Sequence, residues 1–238
     1  MQPGTENVAL TPGEAHVWRA SLDLPAARLD EIAVCLSEEE LARAARFHFE
    51  RDGNRYIAGR GLLRHRLAGY LRADPAALRF SYGAQGKPFL VRNSGASDIA
   101  FNLSHSAGVA LYAFSMGMKP GMELGIDIER LDPTIDVDNI AGSFFSPREV
   151  LAIRALPPDR RHVLFFDFWT RKEAYLKTLG HGLSIPLNEF DVSSLSEIDH
   201  AGFPKCWVYP LAEIPGHAAA LVANRPLVKI DSFALPKA

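Results

Sequence analysis

The chain has 238 residues, 47% of them hydrophobic and 23% charged, with a formal net charge of -2. That length serves one large domain or two compact ones with buried cores, and the near-neutral balance excludes a global basic field for nucleic acid and a strongly acidic solvating tail. Cys35 and Cys206 stand far apart, in neither a metal-ligand nor a redox spacing, so both read as reduced thiols and the setting as cytoplasmic.

The first residues, Met1 to Asn7, carry no basic n-region or apolar h-region and read as a loose arm, not a secretory leader. His16 to Leu22 alternates and predicts an opening strand with one packed face. Ser37 with Glu40 three residues on is a capping box, predicting a helix through Leu41, Ala44, Ala45 and the Phe47 region that Asp52-Gly53 breaks. From Asn54 the spacing of Ile57, Leu62, Leu63, Leu67, Tyr70 and Leu71 predicts a long helix ending at Asp74-Pro75. Short strands are expected at Arg79–Tyr82, Pro88–Val91, Ile99–Leu103 and Val109–Phe114, forming a sheet with helices on one side. The stretch from Ile99 to Met118 lacks Asp, Glu, Lys and Arg, but Asn102, Ser104, His105, Ser106 and Ser115 interrupt it, so it reads as a buried hairpin and not a membrane span.

The turn-rich Gly117–Met122 is the candidate boundary between an N-terminal half, 1–118, and a C-terminal half, 119–238. After a strand over Glu123–Glu129, Ser146-Pro147-Arg148-Glu149 is a second capping box with proline at the first helical position, and its helix stops at Pro157-Pro158. A longer helix is expected from about Arg161 to Leu179, terminated by Gly180-His181-Gly182. Strands at Phe190–Val192, Cys206–Tyr209, Ala218–Val222 and Val228–Phe233 complete an α+β reading with two halves of similar layout.

Chemistry concentrates in two segments. In Gly125-Ile-Asp-Ile-Glu129, residues i and i+2 of a strand share a face, so Asp127 and Glu129 point one way while Ile126 and Ile128 point into a core, and Gly125 leaves room for close approach. In Trp169-Thr-Arg-Lys-Glu-Ala-Tyr-Leu-Lys177, positions i, i+4 and i+8 place Trp169, Glu173 and Lys177 on one helix face. Three oxygen donors without His or Cys suit a hard cation, and magnesium is the natural one, with Lys177 beside it for an anion. Alone, an Asp-x-Glu strand is ordinarily a solvated face, and a Glu/Lys pair four apart ordinarily supports a surface helix.

Taken together, with Glu173 lying 46 residues after Asp127, the two segments resemble the 4'-phosphopantetheinyl transferases, and the chain looks like their larger, Sfp-type (surfactin-synthetase-activating) class. The resemblance implies a pseudo-two-fold pair of α+β halves with coenzyme A in the cleft between them, the N-terminal half holding the adenine and 3'-phosphate and the C-terminal half the metal. It implies a magnesium-dependent enzyme in which a serine hydroxyl of an apo acyl or peptidyl carrier protein attacks the β-phosphorus of coenzyme A and expels adenosine 3',5'-bisphosphate. A monomer, free of nucleic acid and membrane, goes with it.

By the same resemblance Asp127, Glu129 and Glu173 hold magnesium, and Lys177 binds a pyrophosphate oxygen. Glu173, or a water on the cation, accepts the serine proton. Phe101-Asn-Leu-Ser-His-Ser106 matches a further motif whose Ser104 and His105 meet the phosphates, and Gly86-Lys87-Pro88 one that lines the adenine end. Arg43 and Arg55 align best with the family's 3'-phosphate cations, Arg60 matches an arginine some relatives use, and Arg46 is a further candidate. Glu38-Glu39-Glu40 departs from the family, where a lysine is often found, and His181 stands where lysine is common. Phe144-Phe145-Ser146, Asp132 to Asn139 and Gly180 to Pro186 would border the carrier-protein groove. A coenzyme A binding module without turnover, or a magnesium-dependent pyrophosphohydrolase acting on coenzyme A, would use similar ligands.

Overall fold

The alternation in β2 (Glu14–Ser21) sends its residues to two different cores. Ala15 and Val17 enter one hydrophobic cluster, whereas Trp18 and Ala20 enter another, as strand geometry requires. The computed structural model describes residues 2–3, 9–91, 99–116, 121–180 and 182–236. Most of the Met1–Asn7 arm, the boundary between 118 and 119, and His181 lie outside the described residues.

Two sheets form the centre. The first has the order β1 (Gln2–Pro3), β11 (Lys229–Ala234), β2, β6 (Val109–Met116), β5 (Ile99–Ser106); β1 and β2 run parallel to β11, and the other pairs are antiparallel. The second is antiparallel, in the order β7 (Leu124–Arg130), β10 (His217–Ala223), β9 (Cys206–Pro210), β8 (Glu197–Ile198). Val17, Leu111 and Ala113 of one sheet meet Ile126, Ile128 and Leu221 of the other in a shared apolar layer. On the far side of the first sheet lies α3 (Glu50–Leu71), which buries Leu63 and Leu67 against Trp18, Tyr112 and Phe114. On the far side of the second lies α6 (Pro158–Leu179), with Ala174, Tyr175 and Leu176 against Ala220 and Val222. The fold is α+β. Each buried Leu, Ile or Phe contributes about 1.5–3 kcal/mol relative to exposure, so these three layers hold the architecture.

Both capping boxes form: Ser37 with Glu40 at α2 (Glu38–Ala44), and Ser146 with Glu149 at α5 (Pro147–Arg154). Gly180, at φ 72°, ends α6 in the left-handed conformation that glycine adopts without penalty. Several expectations need correction. Asp52-Gly53 does not break a helix but lies inside α3; a Cβ on Gly53 would come 2.9 Å from the Ala44 carbonyl oxygen, so glycine here lets α2 pack on α3. The helices α1 (Ala26–Ala33) and α4 (Val137–Phe144) were not anticipated. β3 (Phe80–Tyr82) and β4 (Pro88–Leu90) form a separate hairpin outside the first sheet. The last strand comes from the second half of the sequence yet lies in the first sheet beside β2.

No strand forms at Phe190–Val192, because buried side chains take its backbone groups. Lys172 Nζ donates to the carbonyls of Leu187 (2.7 Å) and Phe190 (2.8 Å), Arg171 donates to that of Val192 (3.1 Å), and Glu149 accepts from Val192 N–H (2.7 Å). Lys172 and Glu149 are themselves an ion pair 2.9 Å apart with no side-chain exposure. Losing either partner would strand a buried charge, so this pair fixes the 187–192 segment.

Candidate active site

Gly125 decides how closely α6 approaches β7. A Cβ there would stand 2.1 Å from the Ala174 carbonyl oxygen, 2.6 Å from Thr178 N and 2.9 Å from Lys177 Cβ, so only glycine lets helix backbone rest on this strand. The approach brings Lys177 to Asp127: Nζ lies 2.7 Å from Asp127 Oδ1, 3.0 Å from Ser104 Oγ and 3.2 Å from the Ile126 carbonyl oxygen. Ser104, near the end of β5, accepts from that ammonium and donates to the same Oδ1 at 2.8 Å. Asp127 is 3% exposed, and its second oxygen, Oδ2, is buried with no donor among the described residues. An unpaired buried carboxylate oxygen is costly and marks a place for a cation.

These groups line a cavity of about 630 Å³. Asp127, Glu129, Glu173 and Lys177 form one side with Trp169, so the helix face read at i, i+4 and i+8 does open onto a single space. Burial pushes the Glu129 and Glu173 carboxyls up, and the charge on Asp127 pushes both the same way. Anions that raise one another gain when a cation joins them. As placed, Lys177 draws Asp127 Oδ1 to itself, and among the described residues no three His, Cys, Asp or Glu side chains already converge in a metal-holding cluster. The donor set and the free Asp127 Oδ2 nonetheless fit a hard cation.

The same cavity is also lined by Arg43, Arg60, Lys87, Pro88, Ser104 and His105, all of them anticipated. Their states differ. Arg43 lies over the ring of Tyr56, 5.4 Å from its centroid. Arg60 is buried and bound to Glu40 at 2.6 Å, and Glu40 also takes Arg64 at 2.8 Å. Burial alone would raise the Glu40 carboxyl, but the Ser37 N–H and the two guanidinium groups hold it below the usual range. Glu40 therefore caps α2 and partly neutralises Arg60. Lys87 gives its ammonium to Glu123 Oε2 (2.7 Å), the Lys177 carbonyl (2.9 Å) and the Leu124 carbonyl (3.3 Å), tying the β3–β4 hairpin to β7 and α6. Burial lowers His105, and the charges of Lys177 and Arg55 add to the effect.

Arg55 is a correction. It does not line this cavity but grips Asp23 through Nε (2.6 Å) and Nη2 (2.9 Å) beside the β5–β6 turn. A Cβ on Gly108 of that turn, at φ 84°, would come 2.5 Å from Asp23 Oδ2 and 2.8 Å from Arg55 Nη2, so the pair buttresses the hairpin that carries His105. Arg46 is exposed and also off the cavity. Tyr56, Tyr82, Gln85 and Asn102 line the cavity unanticipated. Tyr56 precedes Arg60 by one helical turn and Asn102 precedes Ser104 by one strand period, so both could have been found by spacing. Among the described residues no helix is long and apolar enough to cross a membrane.

Comparison with known proteins bears on both halves. Residues 123–212 match the 4'-phosphopantetheinyl transferase superfamily, and residues 19–116 match the description "4'-phosphopantetheinyl transferase, N-terminal". The chain is 42% identical over 191 residues to the 4'-phosphopantetheinyl transferase HetI of Nostoc sp., covering 80% of this chain and 78% of that one. A 4'-phosphopantetheinyl transferase of Bacillus subtilis is 36% identical over 170 residues, 71% of either chain. Another from that organism, Sfp, is 31% identical over 197 residues, covering 80% of this chain and 83% of its own length.

Proposed function

Because the chain belongs to the 4'-phosphopantetheinyl transferase family, we propose that the cavity between β5, β7 and α6 is where it binds coenzyme A and magnesium and meets its carrier protein. The enzyme transfers the 4'-phosphopantetheine arm of coenzyme A to a carrier protein. The observation that carries the site assignment is the buried, partner-free Oδ2 of Asp127, in a cavity shared with two further carboxylates and a lysine. Asp127, Glu129 and Glu173 would hold the magnesium. When bound, the ion neutralises charge that builds on the phosphate oxygens during transfer.

The remaining steps belong to the chain's own groups. Lys177 exchanges one of its present acceptors for a pyrophosphate oxygen, as a point charge on a flexible stem can. Ser104 and His105 orient the phosphates from β5. Arg43, over Tyr56, provides the charge for the 3'-phosphate, and Lys87 and Pro88 set the hairpin against the adenine. Glu173, which shares the cavity with Asp127 and Lys177, takes the proton of the carrier serine as its oxygen bonds to the β-phosphorus. The bond from that phosphorus to the bridging oxygen breaks, and adenosine 3',5'-bisphosphate leaves. The two sequence halves enclose the ligand as a pseudo-two-fold pair within one polypeptide acting as a monomer. Free, buried Cys35 and Cys206 agree with a reducing cytoplasm.

The test is intact-protein mass spectrometry of an apo carrier protein incubated with enzyme, coenzyme A and magnesium, with chelated and Asp127→Ala arms. A gain of one phosphopantetheine on the carrier serine is expected only in the complete mixture, with the variant slowed at least a hundredfold. Labelling that survives both chelation and Asp127→Ala would overturn the metal site while leaving the transferase standing.

A further inference from the structure

β5 and β7 are edge strands of different sheets, and among the described residues no backbone ladder joins them. An edge strand leaves every second N–H without a partner. On β7, two of these are taken by side chains of β5: the Asn102 amide oxygen accepts Ile126 N–H at 2.9 Å, and Ser106 Oγ accepts Arg130 N–H at 3.1 Å. Since it accepts there, the Ser106 hydroxyl is free to donate, and it does so to Glu129 Oε2 at 2.9 Å. Ser104 lies midway and donates to Asp127. Asn102, Ser104 and Ser106 recur at the strand period of two, so one face of β5 meets β7 at three successive points.

We propose that Asn102 and Ser106 are positioning residues for the two carboxylates of β7. Asn102 fixes the backbone one residue ahead of Asp127, and Ser106 fixes both the backbone after Glu129 and one of its oxygens, leaving Oε1 for the cavity. Partners of this kind outside the ligand set are worth about ten- to a hundredfold in metal affinity. The inference rests on the magnesium reading above but makes its own claim about β5.

Two measurements separate the claims. Amide hydrogen exchange by NMR, without metal, should quicken at Arg130 in Ser106→Ala and at Ile126 in Asn102→Ala, while Ser106→Thr keeps Arg130 protected. Calorimetric titration of magnesium into the coenzyme A complex, without carrier protein, should give Ser106→Ala about tenfold weaker affinity, restored in Ser106→Thr. Unchanged exchange at both amides would overturn the contacts, and quickened exchange with wild-type magnesium affinity in both Ala variants would overturn the positioning role. Should wild type bind no magnesium while the exchange results hold, the metal reading fails, and the positioning role with it. If Ser106→Ala does not fold, Asn102→Ala carries both measurements.

Discussion

Arg55 grips Asp23 with two donors on one edge of its guanidinium, Nε and Nη2, whereas among the described residues Arg43 has no carboxylate partner and lies over Tyr56. The resemblance put both arginines forward as cations for the 3'-phosphate, but a cation already paired has less to offer a dianion. Replacing Arg43 with Ala should therefore weaken coenzyme A by about tenfold or more, on the scale of one lost charge-assisted hydrogen bond, and should leave the 3'-dephospho analogue nearly untouched. Arg55→Ala, which loosens the hairpin carrying His105, should weaken both ligands alike. Calorimetry with the two ligands decides it: a selective loss in Arg55→Ala and an even one in Arg43→Ala would reverse the assignment. The residue types at this site were legible in the sequence, and ten of the twelve anticipated side chains line one cavity, Arg46 and Arg55 lying off it. Their states were not, because Asp23 stands 32 residues from Arg55 and Glu40 stands 20 from Arg60, distances that no local pattern reports.

At the scale of elements, the contact that makes the site is backbone against backbone, α6 on β7 at Gly125. With Cβ only 2.1 Å from the Ala174 carbonyl oxygen, Gly125→Ala cannot be absorbed by a side-chain rotation, so the helix must move. A loss of about 3 kcal/mol in unfolding free energy, the upper end of overpacking costs, is expected in urea denaturation, with transfer activity lost as Lys177 withdraws from Asp127. Wild-type stability together with wild-type turnover would mean that the strand and helix are not so tightly engaged. Gly125 announced itself through its neighbours in the motif; Gly53 misled because a glycine after Asp reads as punctuation, while its use here is a close approach between helices. The capping boxes were legible because their signal is chemical and local. The helices α1 and α4, eight residues each with two buried side chains apiece, offer too short a periodicity to stand out.

Across the whole molecule, strand partners were the least legible feature, since β11 closes a parallel pair with β2 from the other end of the chain. That closure encloses His16. Its ring stands against Phe233 of β11, 5.2 Å between centroids, and its Nδ1 is 2.8 Å from the Tyr70 hydroxyl of α3, which also takes the Trp18 indole N–H at 2.7 Å. Burial lowers the His16 pKa, outweighing the opposing charges of Asp231 and Glu14, with Lys229 adding to the lowering. A histidine depressed in the folded state contributes stability that is complete above its unfolded value, about 6.5, and is lost as pH falls toward the folded value, because the unfolded chain takes up its proton first. His65 and His105 are lowered in the same sense, whereas Glu129 and Glu173 are raised and act oppositely at lower pH, so the raw profile mixes signs. The difference between wild type and His16→Gln isolates the one group. That difference in unfolding free energy, measured in urea without metal, should be level above pH 7 and should shrink as pH drops through 6.5 to 5.5. A difference that stays level across this window would mean that His16 titrates alike in the folded and unfolded chain, and that the closure of β11 on β2 does not shield it.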